Sequence, residues 1–212
     1  MRSVEPSPTE PPFEVLVVCT GNIARSPMAQ RLLEHRLVDT PAVRVSSAGT
    51  WGLTGSPMER NAAEALAEVG VAEGAFRARE LTPELVRSSG LVLTATREHR
   101  VAVLTHDPTA LRRTFTLREF ARLLDVVDAV PGRPGHVGRA PAELVAAVAD
   151  ARGRVRVAPA EDDIPDPHTG PLTSFRQARD LIVAAVEVIG PALGAGNPPG
   201  DRDRSDPRPG LQ

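Results

Sequence analysis

The chain has 212 residues, 25 basic side chains against 27 acidic ones, a formal net charge of -2, and 41% hydrophobic residues. That length suits one domain with a real core, and so even a balance excludes bulk charge as a route to nucleic acid or to an anionic membrane. A single cysteine, Cys19, excludes an internal disulfide framework and fits a reducing compartment. Residues 1–12 are polar and proline-rich, with no apolar run suited to a signal peptide, and are expected to be disordered. From there short valine-rich runs alternate with amphipathic stretches. Strands are expected over 14–18, 43–47, 91–95 and 114–117, and helices over 27–38, 58–69, 97–105, 118–125, 141–151 and 173–189. Strands alternating with helices make an α/β domain over 13–193, its parallel sheet covered by helices on both faces. Residues 126–160 break the pattern with "PGRPGHVGRAP" and are expected to form a surface insertion rather than a second domain. The tail, 194–212, mixes Pro, Gly and alternating charge and is expected to be disordered. No stretch approaches the roughly 20 apolar residues of a membrane span, so a cytoplasmic protein is expected.

In a parallel sheet the ligand sits beyond the carboxyl ends of the strands. Cys19 is the first residue past the first expected strand, and "CTGNIARSP" follows to the next helix. Gly21 permits unusual backbone angles and Asn22 tolerates the left-handed region, so successive N–H groups can turn inward as a nest for an anion. Pro27 suits the first turn of the helix, whose amino terminus adds its positive end. The same donors favour a thiolate over a thiol at Cys19. Six positions on, Arg25 can fold back and grip two oxygens of a tetrahedral oxyanion with its fork. Ser26 can hydrogen-bond the sulfur and help it leave. Thr20, Gly21, Asn22, Ile23, Ala24 and Ser26 complete a substrate-binding loop for attack on phosphorus by Cys19.

The stretch "VCTGNIARSPMAQ" resembles the signature of the low-molecular-weight protein tyrosine phosphatases, and "VSSAGT", "FRARELT", "LVLTATREHR" and "DIPDPHTG" follow in that family's order. The resemblance implies a three-layer fold with a four-stranded parallel sheet in the order 2-1-3-4 and a phosphate-binding loop after the first strand. It implies hydrolysis of phosphotyrosine on proteins through a phosphocysteine intermediate, with Cys19 as nucleophile, Arg25 holding the phosphoryl oxygens and Asp166 of an Asp-Pro pair as general acid and then general base. A second pair, Asp107-Pro108, lies far from the last helix and is the weaker candidate. Asn22 and Ser47 match positions that hold the loop in shape. The reaction needs no metal and no cofactor, and the dispersed histidines show no ligand spacing. The expected partners are a phosphotyrosine-containing protein and inorganic phosphate or a similar oxyanion, with no nucleic acid and no membrane; a monomer is expected.

Three positions depart from the family pattern. Ala24 stands where relatives usually carry a second cysteine. His168 follows Asp-Pro where relatives often place an aromatic wall, which leaves Trp51 as the other candidate wall for the slot. Phe76 stands where the family has a histidine beneath the loop. Ile23 resembles the phosphotyrosine type, since relatives selective for phosphoarginine carry threonine there. The alternatives are a phosphoarginine phosphatase, an arsenate reductase of the same fold that uses a small-molecule thiol, and a phosphate-binding module without turnover.

Overall fold

The computed structural model describes residues 11–129, 135, 138–155 and 157–194. The disorder expected for the two ends concerns residues that lie, apart from 11, 12 and 194, outside the described ones.

Strand β1 (Phe13–Cys19) lies near the middle of a parallel sheet with β2 (Val43–Gly49), β3 (Leu91–Thr94) and β4 (Thr114–Thr116), in the order β2-β1-β3-β4. Val15 pairs with Val45 on one side and Leu91 on the other, and the register ends with Cys19 opposite Gly49. Because side chains alternate along a strand, β1 feeds two cores. Val15 and Val17 join Met28, Leu33, Phe115, Phe120, Ile182 and Val186 on the larger face. Leu16 and Val18 join Val86, Val92, Val103 and Ala110 on the smaller one. Burial on both faces is why β1 reads as an unbroken apolar run.

The larger face is covered by α1 (Arg25–Arg36), α2 (Arg60–Ala67), α5 (Leu117–Asp128) and α8 (Leu172–Gly194), and the smaller by α3 (Pro83–Ser88) and α4 (Arg97–His106). The sequence reading missed α3 and the 3-10 turn at Pro108–Arg113, because neither spans enough residues to show a helical period. Both carry local start signals: Thr82 accepts from Leu85 N with Pro83 next to it, and Asp107 accepts from Thr109 N with Pro108 next to it. Helix α8 was expected to stop near 189, yet it runs through Pro191 to Gly194 and buries Ile189, Ala192 and Leu193. Gly190 lets α8 lie against α1, since a Cβ there would come within 2.8 Å of Arg36 Cβ.

Within 126–160, α6 (Pro141–Ala151) does more than cover a surface. It buries Leu144, Val145 and Val148 in the main core and rests on α5. Just past α6, Arg152 stacks 4.0 Å over the Phe115 ring and bonds the buried Glu119 carboxylate. The short α7 (Pro159–Asp162) then leads into the segment that carries Asp166. Among the described residues no helix is long and apolar enough to cross a membrane.

Candidate active site

The carboxyl end of β1 delivers Cys19 to the base of a cleft of about 250 Å³, lined by Cys19, Thr20, Gly21, Ile23, Ala24, Arg25, Trp51, Leu53, Asp166 and His168. The loop from Thr20 to Ala24 is held from outside by its carbonyls. Those of Cys19, Thr20, Gly21 and Ile23 accept from the amides of Thr50, Trp51, Leu53 and Glu59 at 2.9, 3.0, 3.0 and 2.8 Å. With the carbonyls spoken for, the amides from Gly21 to Ala24 donate to no backbone carbonyl among the described residues. At the start of α1 they are left available as donors to an anion. Gly49 makes the close approach possible, because a Cβ there would lie 2.3 Å from Thr20 O and 3.0 Å from Asn22 N.

The left-handed residue of the loop is Asn22, with φ of 54°, and not Gly21. Asn22 is fully buried, and its side chain fastens the loop from behind: Nδ2 donates to Ser26 Oγ at 2.9 Å and Ser47 Oγ at 2.8 Å, and Oδ1 accepts from Arg79 N at 3.0 Å. Ser47 Oγ in turn donates to Gln30 Oε1 at 2.6 Å. Three bonds to one amide offset the cost of its backbone conformation. The side chains of Asn22 and Ser26, two residues expected in the substrate-binding loop, thus lie beneath the loop with Ser47. Ser26 Oγ lies 3.0 Å from Cys19 Sγ, placed as foreseen to share a hydrogen bond with the sulfur.

Arg25 is buried, its guanidinium anchored by NH1 donating to Ile164 O at 3.2 Å. Its NH2 donates to Asp166 Oδ2 at 2.7 Å, so the fold brings these two sequence candidates together across 141 positions. Asp166 is half exposed and its other oxygen accepts from His168 N at 3.1 Å, a local turn that fixes the carboxylate direction. Asp107 is occupied elsewhere: it caps the 3-10 turn and pairs with Arg113 at 3.0 Å. Asp162 and Asp163 fasten the Asp166 segment, through Arg122 at 2.8 Å and Arg97 N at 2.8 Å. Trp51 stands at the rim, 80% exposed, and His168 is exposed opposite. Phe76 is buried in the core, so the polar support of the loop runs through Ser47, Gln30 and Arg79 instead of a histidine.

Two residues absent from the sequence reading belong here. Leu53 lines the cleft beside Ile23; its only sequence signal was apolar character in a loop. His99 is buried, with Nε2 2.9 Å from Thr20 Oγ1 and Nδ1 2.7 Å from Thr96 Oγ1, while Thr20 Oγ1 also accepts from Arg25 NH2 at 3.4 Å. Burial, and then the Arg25 charge, push the imidazole down to about 4. A neutral His99 therefore tethers the mouth of the loop to the start of α4. Its sequence signal is Thr96-x-x-His99 at the start of the helix expected over 97–105.

A thiol backed by a hydroxyl, under a ring of amides and beside a buried guanidinium, defines a class: proteins that seize tetrahedral oxyanions at a cysteine loop. The family description "Low molecular weight phosphotyrosine protein phosphatase" matches residues 14–133, and the chain belongs to that family of phosphatases. It is 31% identical over 182 residues to the protein-arginine-phosphatase of Geobacillus stearothermophilus, covering 86% of this chain and 97% of that one. It is 38% identical over 114 residues to the low molecular weight protein-tyrosine-phosphatase Etp of Escherichia coli K12, covering 54% of this chain and 75% of Etp. The solved YwlE arginine phosphatase from Geobacillus stearothermophilus superposes with a TM-score of 0.62 at 31% identity, over 86% of this chain and 93% of that one. The tyrosine phosphatase Wzb from Escherichia coli K30, solved with sulphate, has a TM-score of 0.62 over 85% of this chain and 98% of that one at 22% identity, a likeness of fold.

Proposed function

We propose that this phosphatase hydrolyses phosphotyrosine on proteins through a phosphocysteine intermediate. The observation that carries the reading is the cleft itself: a sulfur and a guanidinium at its base, and walls made by Ile23, Leu53 and Trp51. Apolar walls suit an aryl ring. A phosphoarginine side chain brings a polar guanidinium group to the same walls, and among the described lining residues the one carboxylate, Asp166, is already engaged by Arg25. The relatives' names divide between protein-tyrosine and protein-arginine phosphatases, so the walls, and Ile23 above all, carry the choice.

In the first step a phosphoryl group enters the ring of amides and two of its oxygens take up the Arg25 fork, displacing the Asp166 carboxylate toward the leaving oxygen. Cys19 Sγ attacks phosphorus in line, the S–P bond forms, and the P–O bond to the phenol breaks. Released from Arg25, the solvent-exposed Asp166 takes up a proton from water and gives it to the departing phenolate. In the second step Asp166 takes a proton from water as the water oxygen attacks phosphorus; the S–P bond breaks, and Ser26 donates to the returning sulfur anion.

The test is phosphate release from phosphotyrosine, phosphoarginine and phosphoserine peptides measured side by side, with arsenite production from arsenate followed in the presence of a small thiol. Phosphotyrosine is expected to be preferred, Cys19→Ser to abolish release, and Asp166→Ala to slow it by about 10²- to 10⁴-fold. A preference for the phosphoarginine peptide overturns the substrate assignment. Unchanged turnover in Asp166→Ala removes that residue from the mechanism.

A further inference from the structure

The geometry points to a second oxyanion site, a groove behind the nucleophile loop in which Arg31, Arg77 and Arg79 take a phosphate group, free or esterified, and through which that group reaches Asn22. The groove encloses about 330 Å³ and shares no lining residue with the cleft over Cys19. Its lining includes these three arginines with Gln30, Ser46 and Ser47, and no carboxylate.

The three guanidinium groups have capacity to spare. Arg77 is exposed, and its one hydrogen bond among the described residues is from NH1 to its neighbour's carbonyl, Phe76 O, at 2.7 Å. Arg79 donates from Nε to Ser47 O at 2.7 Å and has no carboxylate within ion-pair distance among the described residues. Arg31 pairs through NH1 with Glu34 at 2.7 Å, but its Nε is buried without a hydrogen-bond partner. The backbone passing Gly74, at φ of 60°, closes over Arg31, since a Cβ at Gly74 would sit 3.4 Å from Arg31 NH2. Two acids lie near. Glu34 is held by Arg31, and Glu14, the charge that acts on Arg79, is paired with Arg44 at 3.2 Å. The groove thus stays cationic, and several forked donors converging on one space match the several oxygens of phosphate better than the two of a carboxylate.

Residues that line the groove also hold the catalytic loop from beneath. Arg79 N and Ser47 Oγ each bond the Asn22 side chain, and Gln30 bonds Ser47. Asn22 bonds Ser26, which bonds Cys19. An anion that draws Arg79 toward the groove therefore acts on the amide that holds the loop, two hydrogen bonds from the sulfur.

The test is a titration of Cys19→Ser protein with inorganic phosphate, and separately with glycerol phosphate, followed by backbone and side-chain amide resonances at constant ionic strength kept with chloride. The protein turns nothing over, so the outcome is independent of the substrate reading. Gly21 and Ala24 report the cleft; Ala75, Arg77 and Arg79 report the groove. The expected result is a separate saturable curve for the groove amides, joined by the Asn22 side-chain amide. Arg77→Ala, a change at an exposed side chain, is expected to weaken that curve about tenfold or more and leave the cleft curve in place. Shifts from both ligands mean the groove accepts esters, and shifts from inorganic phosphate alone mean it holds the free ion. Groove amides that follow only the cleft curve, that respond equally to chloride, or that ignore Arg77→Ala overturn the site. Groove shifts without Asn22 overturn the link to the loop.

Discussion

Asn22 and His99 show how much of a catalytic loop is made by side chains that never meet the substrate. Asn22 sits in the left-handed region and is held there by three hydrogen bonds. His99 is held neutral by burial and by the nearby Arg25 charge, at about 4 against an ordinary 6.5. In the unfolded chain this imidazole takes up a proton as pH falls through about 6.5, whereas in the folded chain it resists until about 4. Its contribution is therefore complete above pH 6.5 and is lost as pH falls toward 4, on the order of 3 kcal/mol in all. Urea unfolding at pH 7 and pH 4.5 is expected to show the wild type losing roughly 2 kcal/mol more than His99→Gln across that interval. Parallel losses in the two proteins contradict it. Ala24 sets the redox behaviour of the same loop. It lines the cleft beside Cys19 where a second thiol could have trapped an oxidised sulfur, and the sequence has no other cysteine. Peroxide is expected to carry Cys19 past the sulfenic acid to irreversible acids. Full return of activity on adding a reductant, with no small thiol present during oxidation, contradicts that.

At the scale of elements, one buried carboxylate joins α5 to α4 and to the residue that follows α6. Glu119 is buried, closes the capping box at the start of α5, and accepts from Arg100 of α4 at 3.0 Å and from Arg152 beyond α6 at 2.9 Å. One side chain thus fastens three segments around Phe115 and Phe120. Glu119→Gln keeps the shape and leaves both arginines short of their counter-charge, so a loss of about 2–3 kcal/mol is expected in urea unfolding, a discount for the arginines being a quarter exposed. Glu84→Gln removes an exposed pair with Arg87 and is expected to leave the urea midpoint unchanged. Equal losses from the two substitutions mean that the buried network contributes no more than a surface pair. Helices α2 and α8 are joined in a related way by Glu68, whose bonds to Arg176 and Arg179 hold its carboxyl down to about 2. That clamp is complete above the ordinary carboxylate range and is lost as pH falls toward 2.

The whole molecule was legible where a pattern is local and strong. The alternation of strands with helices reported a sheet covered on both faces, and Cys19, Gly21, Arg25 and Pro27 fall in one loop, so the proposed nucleophile and its guanidinium are legible from the residues between them as well as from their spacing. What spacing could not supply was depth: that Asn22 and Ser26 face inward, that Asp162 and Asp163 fasten a loop, and that His99, 79 positions from Thr20, meets it at the mouth. Nor could it show α6 as part of the core: the helix itself is expected over 141–151, but its apolar face is completed by α5, α8 and the 3-10 turn, elements distant in sequence that no local spacing reports. The central claim is chemical, that Cys19 carries the phosphoryl group between two steps. Rapid acid quench of Asp166→Ala protein turning over p-nitrophenyl phosphate, followed by mass spectrometry of the peptide holding residue 19, tests it most directly. One phosphoryl group on the Cys19 sulfur, absent in Cys19→Ser, is the expected result. Phosphate released at an undiminished rate by Cys19→Ser, with no phosphorylated cysteine in its parent, contradicts the mechanism outright.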